Sequence, residues 1–124
     1  DVKLSPESNI MFGEDMHYPG KWSGFPSHSH AQPEIYFYKF YPQNGFGLLR
    51  LGEEGVLLEH NDTVLIEPNK VHPQVAAPGY AMYYLWVIRH LEGNPYIKPD
   101  FDPQHLWVEQ PGAKYWPDSC EGKA

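Results

Sequence analysis

No stretch of this chain sustains the i, i+3, i+4, i+7 spacing of apolar residues, set against polar ones, that would bury one face of a helix. Its 11 glycines and 13 prolines stand singly and cut the 124 residues into short runs of β-branched and aromatic residues. Breakers at such intervals leave strands joined by turns as the structure the chain can build. The runs are "EIYFYKFY" (34–41), "GFGLLRL" (45–51), "GVLLEH" (55–60), "TVLIE" (63–67), "PQVAAPG" (73–79) and "YAMYYLWVI" (80–88). Six or more such strands point to an all-β sandwich or jelly-roll barrel, and the length suits a single domain. Residues 1–20, polar and broken by Pro6, Gly13, Pro19 and Gly20, read as an N-terminal arm with an edge strand. The barrel is expected over 21–108 and a tail over 109–124. The proline- and aromatic-rich stretch "NPYIKPDFDPQHLWVEQPGAKYWP" is expected to pack across the barrel or onto a partner subunit.

Charge narrows the partners. Nine Lys and Arg against 16 Asp and Glu give a net charge of −7, which argues against nucleic acid and against an anionic membrane. No apolar run approaches the roughly 18 residues of a membrane span, and no stretch reads as a signal peptide. Cys120 is the sole cysteine, so an intrachain disulfide is excluded and a reducing, cytoplasmic setting is the simplest expectation. The chain opens at Asp1 rather than Met, as a fragment of a longer protein would.

One cluster carries chemistry. In "WSGFPSHSHAQPE", His28 and His30 share a strand face, about 7 Å apart at the backbone. Glu34 has the same parity beyond Pro33, and His72 follows the turn "EPNK" at the start of another strand. If these strands pair around a barrel, three imidazoles and one carboxylate meet, a set that suits Mn, Fe, Co, Ni or Zn as the divalent ion. Four protein ligands leave a six-coordinate ion two open positions, as catalysis needs. His17, His60, His90 and His105 stand alone and are given no role.

"HSHAQPE" and "PNKVH" resemble the two cupin motifs. That resemblance implies a cupin-type jelly-roll β-barrel with His28, His30, Glu34 and His72 as metal ligands. More widely, "KWSGFPSHSH", "EIYFYKFYPQNGFG", "HPQVAAPGYAMYYLWV" and "FDPQHLWV" are similar to the second, metal-binding half of the 5-deoxy-glucuronate isomerases of inositol catabolism. The similarity runs from about Lys21 to Val108 and implies aldose–ketose isomerisation of a deoxy-uronic sugar acid. The pattern departs from the family at several places. Asp62 and Lys70 stand where cupins carry glycine, and the link between His30 and Glu34 is short for the isomerase. Leu49 and Trp86 stand where that family tends to carry Gln and Asn. The chain matches one of two cupin-like halves.

Such an isomerisation moves one proton between adjacent carbons through an enediolate, and it needs a base. With Glu34 committed to the ion, Tyr36, Tyr38 and Tyr84 are the catalytic candidates, their phenols acidified by the nearby cation. Arg50 is the candidate for the substrate carboxylate, unless Leu49 and Leu51 face inward and turn it out to solvent, and Trp86 is a candidate sugar contact. Lys39 is expected outside; Arg89 and Lys98 are further cations. Two other readings share the barrel: an iron-dependent dioxygenase, and a non-catalytic sugar-binding or sensing module. Exposed sheet edges suggest a homodimer, formed through residues 1–20 or the aromatic tail.

Overall fold

The computed structural model describes residues 7–120; the first six residues of the expected arm and the last four of the tail lie outside them. Ten strands form: β1 (Ile10–His17), β2 (Trp22–Ser23), β3 (His28–Ser29), β4 (Glu34–Tyr41), β5 (Phe46–Leu51), β6 (Glu54–Glu59), β7 (Thr63–Ile66), β8 (Gln74–Ala76), β9 (Ala81–Arg89) and β10 (Asp100–Phe101). Among the described residues helix is limited to two 3-10 turns, Leu106–Glu109 and Asp118–Cys120. All strand pairs are antiparallel. Two four-stranded sheets, in the orders β1-β9-β4-β7 and β2-β8-β5-β6, make a jelly-roll barrel, and a short β10-β3 ladder lies at its mouth.

The expected strands lie within a few residues of the observed ones. "PQVAAPG" shortens to three residues because Pro73 and Pro78 have no N–H to give to a ladder. The edge strand of the N-terminal segment is a full wall element: all eight residues of β1 pair with β9, from Ile10↔Arg89 to His17↔Met82.

Alternation sorts the side chains. Along β4, Glu34, Tyr36, Tyr38 and Phe40 point inward, while Ile35, Lys39 and Tyr41 are exposed. Register with β9 stacks them in layers: Phe40 beside Met82, Tyr38 beside Tyr84, Tyr36 beside Trp86, and Glu34 beside Ile88. The base is apolar, with Phe40, Met82, Leu49, Leu58 and Ala76 buried together. Losing Leu58 or Leu49 to alanine would cost about 2–5 kcal/mol. The polar layer sits at the opposite end of the same strands, so a dry base supports a wet mouth.

Two turns explain the missing glycines. At both sites the left-handed residue lies one position earlier, on asparagine: Asn61 with φ 69° before Asp62, and Asn69 with φ 64° before Lys70. Asparagine tolerates that conformation better than other side chains do. Gly13 answers a different need. A Cβ there would lie 2.4 Å from the Trp86 ring, its cross-strand neighbour, so only glycine admits the indole.

Candidate metal centre

Three imidazoles are held in the same way. Nδ1 of His30 lies 2.8 Å from the Gln32 carbonyl, Nδ1 of His72 2.9 Å from that of Lys70, and Nδ1 of His28 3.2 Å from that of Pro26. A carbonyl only accepts, so each Nδ1 carries the hydrogen and donates it. In its neutral form each ring then presents Nε2 as a lone pair, and the two beside Glu34 donate to it only when they carry a second proton. The loops that do this are themselves pinned. Gln32 donates through Nε2 to the Asn94 carbonyl at 2.9 Å, and the Asn69 N–H donates to the His30 carbonyl at 2.8 Å.

The two buried Nε2 atoms converge on one carboxylate oxygen. Glu34 Oε2 lies 2.9 Å from His30 Nε2 and 3.3 Å from His72 Nε2. All three residues are buried, and their ligand atoms lie within 4.8 Å of one another. Burial alone would lift the Glu34 carboxyl, but hydrogen bonds from His30 and His72 hold it below the ordinary carboxylate range. Two lone-pair nitrogens facing a carboxylate oxygen repel it unless positive charge stands among them. Either extra protons on the rings or a cation supplies that charge. The donor set therefore fits a divalent transition metal, which His30, Glu34 and His72 could hold.

His28 stands beside this group rather than in it. Its ring centre lies 5.3 Å from that of His72, in an edge-on arrangement. Burial, followed by the neighbouring His72, lowers its affinity for a proton, and with Nδ1 turned to the Pro26 carbonyl its Nε2 is the nitrogen left to ligate.

The cluster opens into a cavity of about 290 Å³, lined also by Asp15, Ser23, Tyr36, Tyr84, Trp86 and Tyr96. That is near the small end of ligand pockets, roughly 300–1,000 Å³. Tyr36 packs edge-on against His72, with ring centres 5.7 Å apart. The Tyr84 and Ser23 hydroxyls share a hydrogen bond of 2.6 Å. Trp86, half-buried, forms one wall.

Two expected site residues are placed elsewhere. Tyr38 does not line the cavity: it lies one layer deeper, fully buried, and its hydroxyl donates to Oε1 of Gln74. Arg50 is on the outer face, because Leu49 and Leu51 take the inward positions of β5. Its guanidinium binds the Gly52 carbonyl at 2.9 Å and Glu53 at 3.2 Å. Burial pushes Tyr36, Tyr38 and Tyr84 up, and the Glu34 charge adds to the effect at Tyr36.

Three residues were not expected at the site. Tyr96 packs its ring 4.9 Å from that of His30, and Phe101 lies 5.4 Å from His28, so part of the aromatic tail stretch covers the mouth. Asp15 enters from β1. The proline and aromatic content of the tail was the signal for the first two; Asp15 carried none.

The model of the KduI/IolB family matches residues 2–108. A protein named 5-deoxy-glucuronate isomerase from Geobacillus kaustophilus is 32% identical, over 83% of this chain and 42% of its own length. The Bacillus subtilis protein of that name is 30% identical, over 72% and 37%. The chain thus spans less than half of these relatives. Among solved structures, an IolB-like protein from Salmonella typhimurium superposes with TM-score 0.77 at 24% identity, covering 87% of this chain and 45% of the other. A cupin-like protein from Thermotoga maritima superposes at 0.60 with 23% identity, covering 76% and 65%. These likenesses establish the fold as that of a cupin.

Proposed function

Because the chain belongs to the KduI/IolB family, we propose that it is a metal-dependent aldose–ketose isomerase acting on a deoxy-uronic acid or a related sugar acid. The observation that carries the reading is that three histidines each give Nδ1–H to a backbone carbonyl, which leaves Nε2 as the ligating atom, and that two of those Nε2 atoms meet a buried carboxylate. The names of the relatives support the reaction, and a cavity sized for a sugar supports the substrate class.

His30, Glu34 and His72 would hold the ion, with His28 as a fourth ligand from the rim. Mn, Fe, Co, Ni or Zn fits these donors. When bound, the ion supplies the positive charge that an enediolate develops against. The chain's own residues do the rest. Trp86 offers an indole face to the sugar, Tyr36 and Tyr84 offer protonated hydroxyls to its oxygens, and Tyr96 with Phe101 narrows the entry of water.

The test is direct. Protein stripped by chelator and reloaded with each of the five metals is mixed with 5-deoxy-glucuronate, and the ketose is sought by NMR. Ketose that appears with metal and vanishes with chelator supports the proposal; none with any metal overturns it. One observation favours a second reading, a sugar-binding module without turnover: among the described residues no Lys or Arg lines the cavity to meet a substrate carboxylate. Calorimetric sugar binding in the absence of product would select it.

The setting follows from the same resemblance: inositol catabolism, in a cytoplasm that suits a chain with one cysteine. Among the described residues no helix is long and apolar enough to cross a membrane. The proposed partner is a second copy of this chain. Phe12, Val87, Ile35 and Leu65 stand in register across all four strands of the first sheet, on its outer face. Phe12 and Leu65 are 66% and 68% exposed, so an apolar row is left for a twofold mate to cover.

A further inference from the structure

The isomerase reading leaves the carbon-bound proton without a carrier, and the cavity holds few groups able to take it. Glu34 is engaged by two imidazoles, the Nε2 atoms of His30 and His72 face that carboxylate, and His28 is assigned to the ion as its fourth ligand. Tyr36 packs edge-on against His72, Tyr96 packs on His30, the Tyr84 hydroxyl is shared with Ser23, and Ser23 itself is a plain hydroxyl. Among the described residues lining the cavity only one other carboxylate exists, that of Asp15.

Its position follows from register. On β1 the odd residues Gly13, Asp15 and His17 face the interior, while Phe12, Glu14 and Met16 are exposed. Asp15 lies directly across from Tyr84, which in turn lies across from Tyr38, so its carboxylate belongs to the layer beneath Trp86. Tyr84 stacks on His17 with ring centres 5.5 Å apart and planes 8° apart, and Ser23 holds its hydroxyl, so the groups beside Asp15 are fixed. Asp15 has no ion-pair partner among the described residues. A carboxylate inside a polar cavity, fixed on a strand beside the Tyr84 hydroxyl and in no ion pair, is placed to act as a base.

We propose that Asp15 is the catalytic base of this site, a role that rests on the isomerase reading. Its carboxylate takes the proton from the hydroxyl-bearing carbon next to the aldehyde. That C–H electron pair forms the carbon–carbon double bond, and the aldehyde C=O pair moves to its oxygen, giving an enediolate. The protonated Asp15 then returns its proton to the former aldehyde carbon, while the proton of the adjacent hydroxyl passes to the neighbouring enediolate oxygen and its carbon becomes the ketone. No electron acceptor is needed, and every proton is accounted for.

The experiment compares metal-loaded wild type with Asp15→Asn, and with Glu14→Gln as a control on the exposed face next door, using 5-deoxy-glucuronate in D2O. For Asp15→Asn, kcat is expected to fall by roughly 10²–10⁴-fold, with KM and metal content held and solvent deuterium no longer entering the carbon. Glu14→Gln is expected to match wild type. Asp15→Asn with kcat within about tenfold of wild type overturns the assignment while leaving the isomerase reading intact. A wild type that forms no ketose overturns both. Should Asn at position 15 lower metal content or stability, Asp15→Ala assayed with added formate decides: rescue of turnover supports the base, and no rescue overturns it.

Discussion

Tyr38→Phe separates a core phenol from a catalytic one. Gln74 is wholly buried on β8, and its Oε1 accepts the Tyr38 hydroxyl, while its Nε2 already has no partner. Removing the hydroxyl leaves the whole carboxamide unpaired in the barrel. The cost of such an orphaned acceptor is about 1–3 kcal/mol. The cavity left by one oxygen adds little. For a domain of this length each kcal/mol lowers Tm by about 3–5 °C, so a fall of roughly 3–15 °C is expected in thermal unfolding. Metal content should stay at the wild-type level, since Tyr38 lies below the cavity. The double variant Tyr38→Phe, Gln74→Leu removes both partners and should recover most of the loss, giving a favourable coupling in the cycle. A single variant as stable as wild type, or a double variant no better than either single, would refute the reasoning.

Acid should weaken the metal-free protein in two stages. His17 and His28 are held below their ordinary 6.5 chiefly by burial, so the unfolded chain binds more protons beneath that pH. Stability is then full above about pH 6.5 and falls as pH drops through the lowered values; Glu34, held below its ordinary 4.5, adds a further loss below that. Denaturant midpoints from pH 8 to 4 check this, and a midpoint that rises on acidification contradicts it. Gly13→Ala drives a methyl to 2.4 Å from the Trp86 ring and should cost about 1–3 kcal/mol with a shift in tryptophan emission; unchanged emission and stability would show that the wall yields freely. Leu65→Asp puts charge in the exposed apolar row and should turn a dimer into a monomer by light scattering, without loss of metal; a wild type that is already monomeric refutes the mate.

Much of this molecule was legible because strand alternation is local. The parity of Glu34, Tyr36 and Tyr38 placed them on one face without knowledge of any neighbour, and the same rule, applied to Leu49 and Leu51, turns Arg50 outward, against its candidacy for the pocket. His72 was found through its turn. Depth along a face is a different matter. Tyr36 and Tyr38 share parity, yet one reaches the cavity and the other ends in the core, because the layer depends on how far β8 and Gln74 extend beneath. Asp15 was invisible for a related reason: its place is set by the pairing of β1 with β9, some seventy positions away. The cover of Tyr96 and Phe101 likewise depends on the two-residue ladder between β10 and β3, too short to announce itself in composition.

Metal analysis of the purified, reconstituted protein tests the central claim most directly, with His30→Ala and His72→Ala beside it and His60→Ala as a control remote from the cluster. The account predicts roughly one divalent transition-metal ion per chain in wild type and in the control, and little in the two variants, all of them folded. Wild type that takes up no metal, or variants that retain as much as wild type, would contradict it.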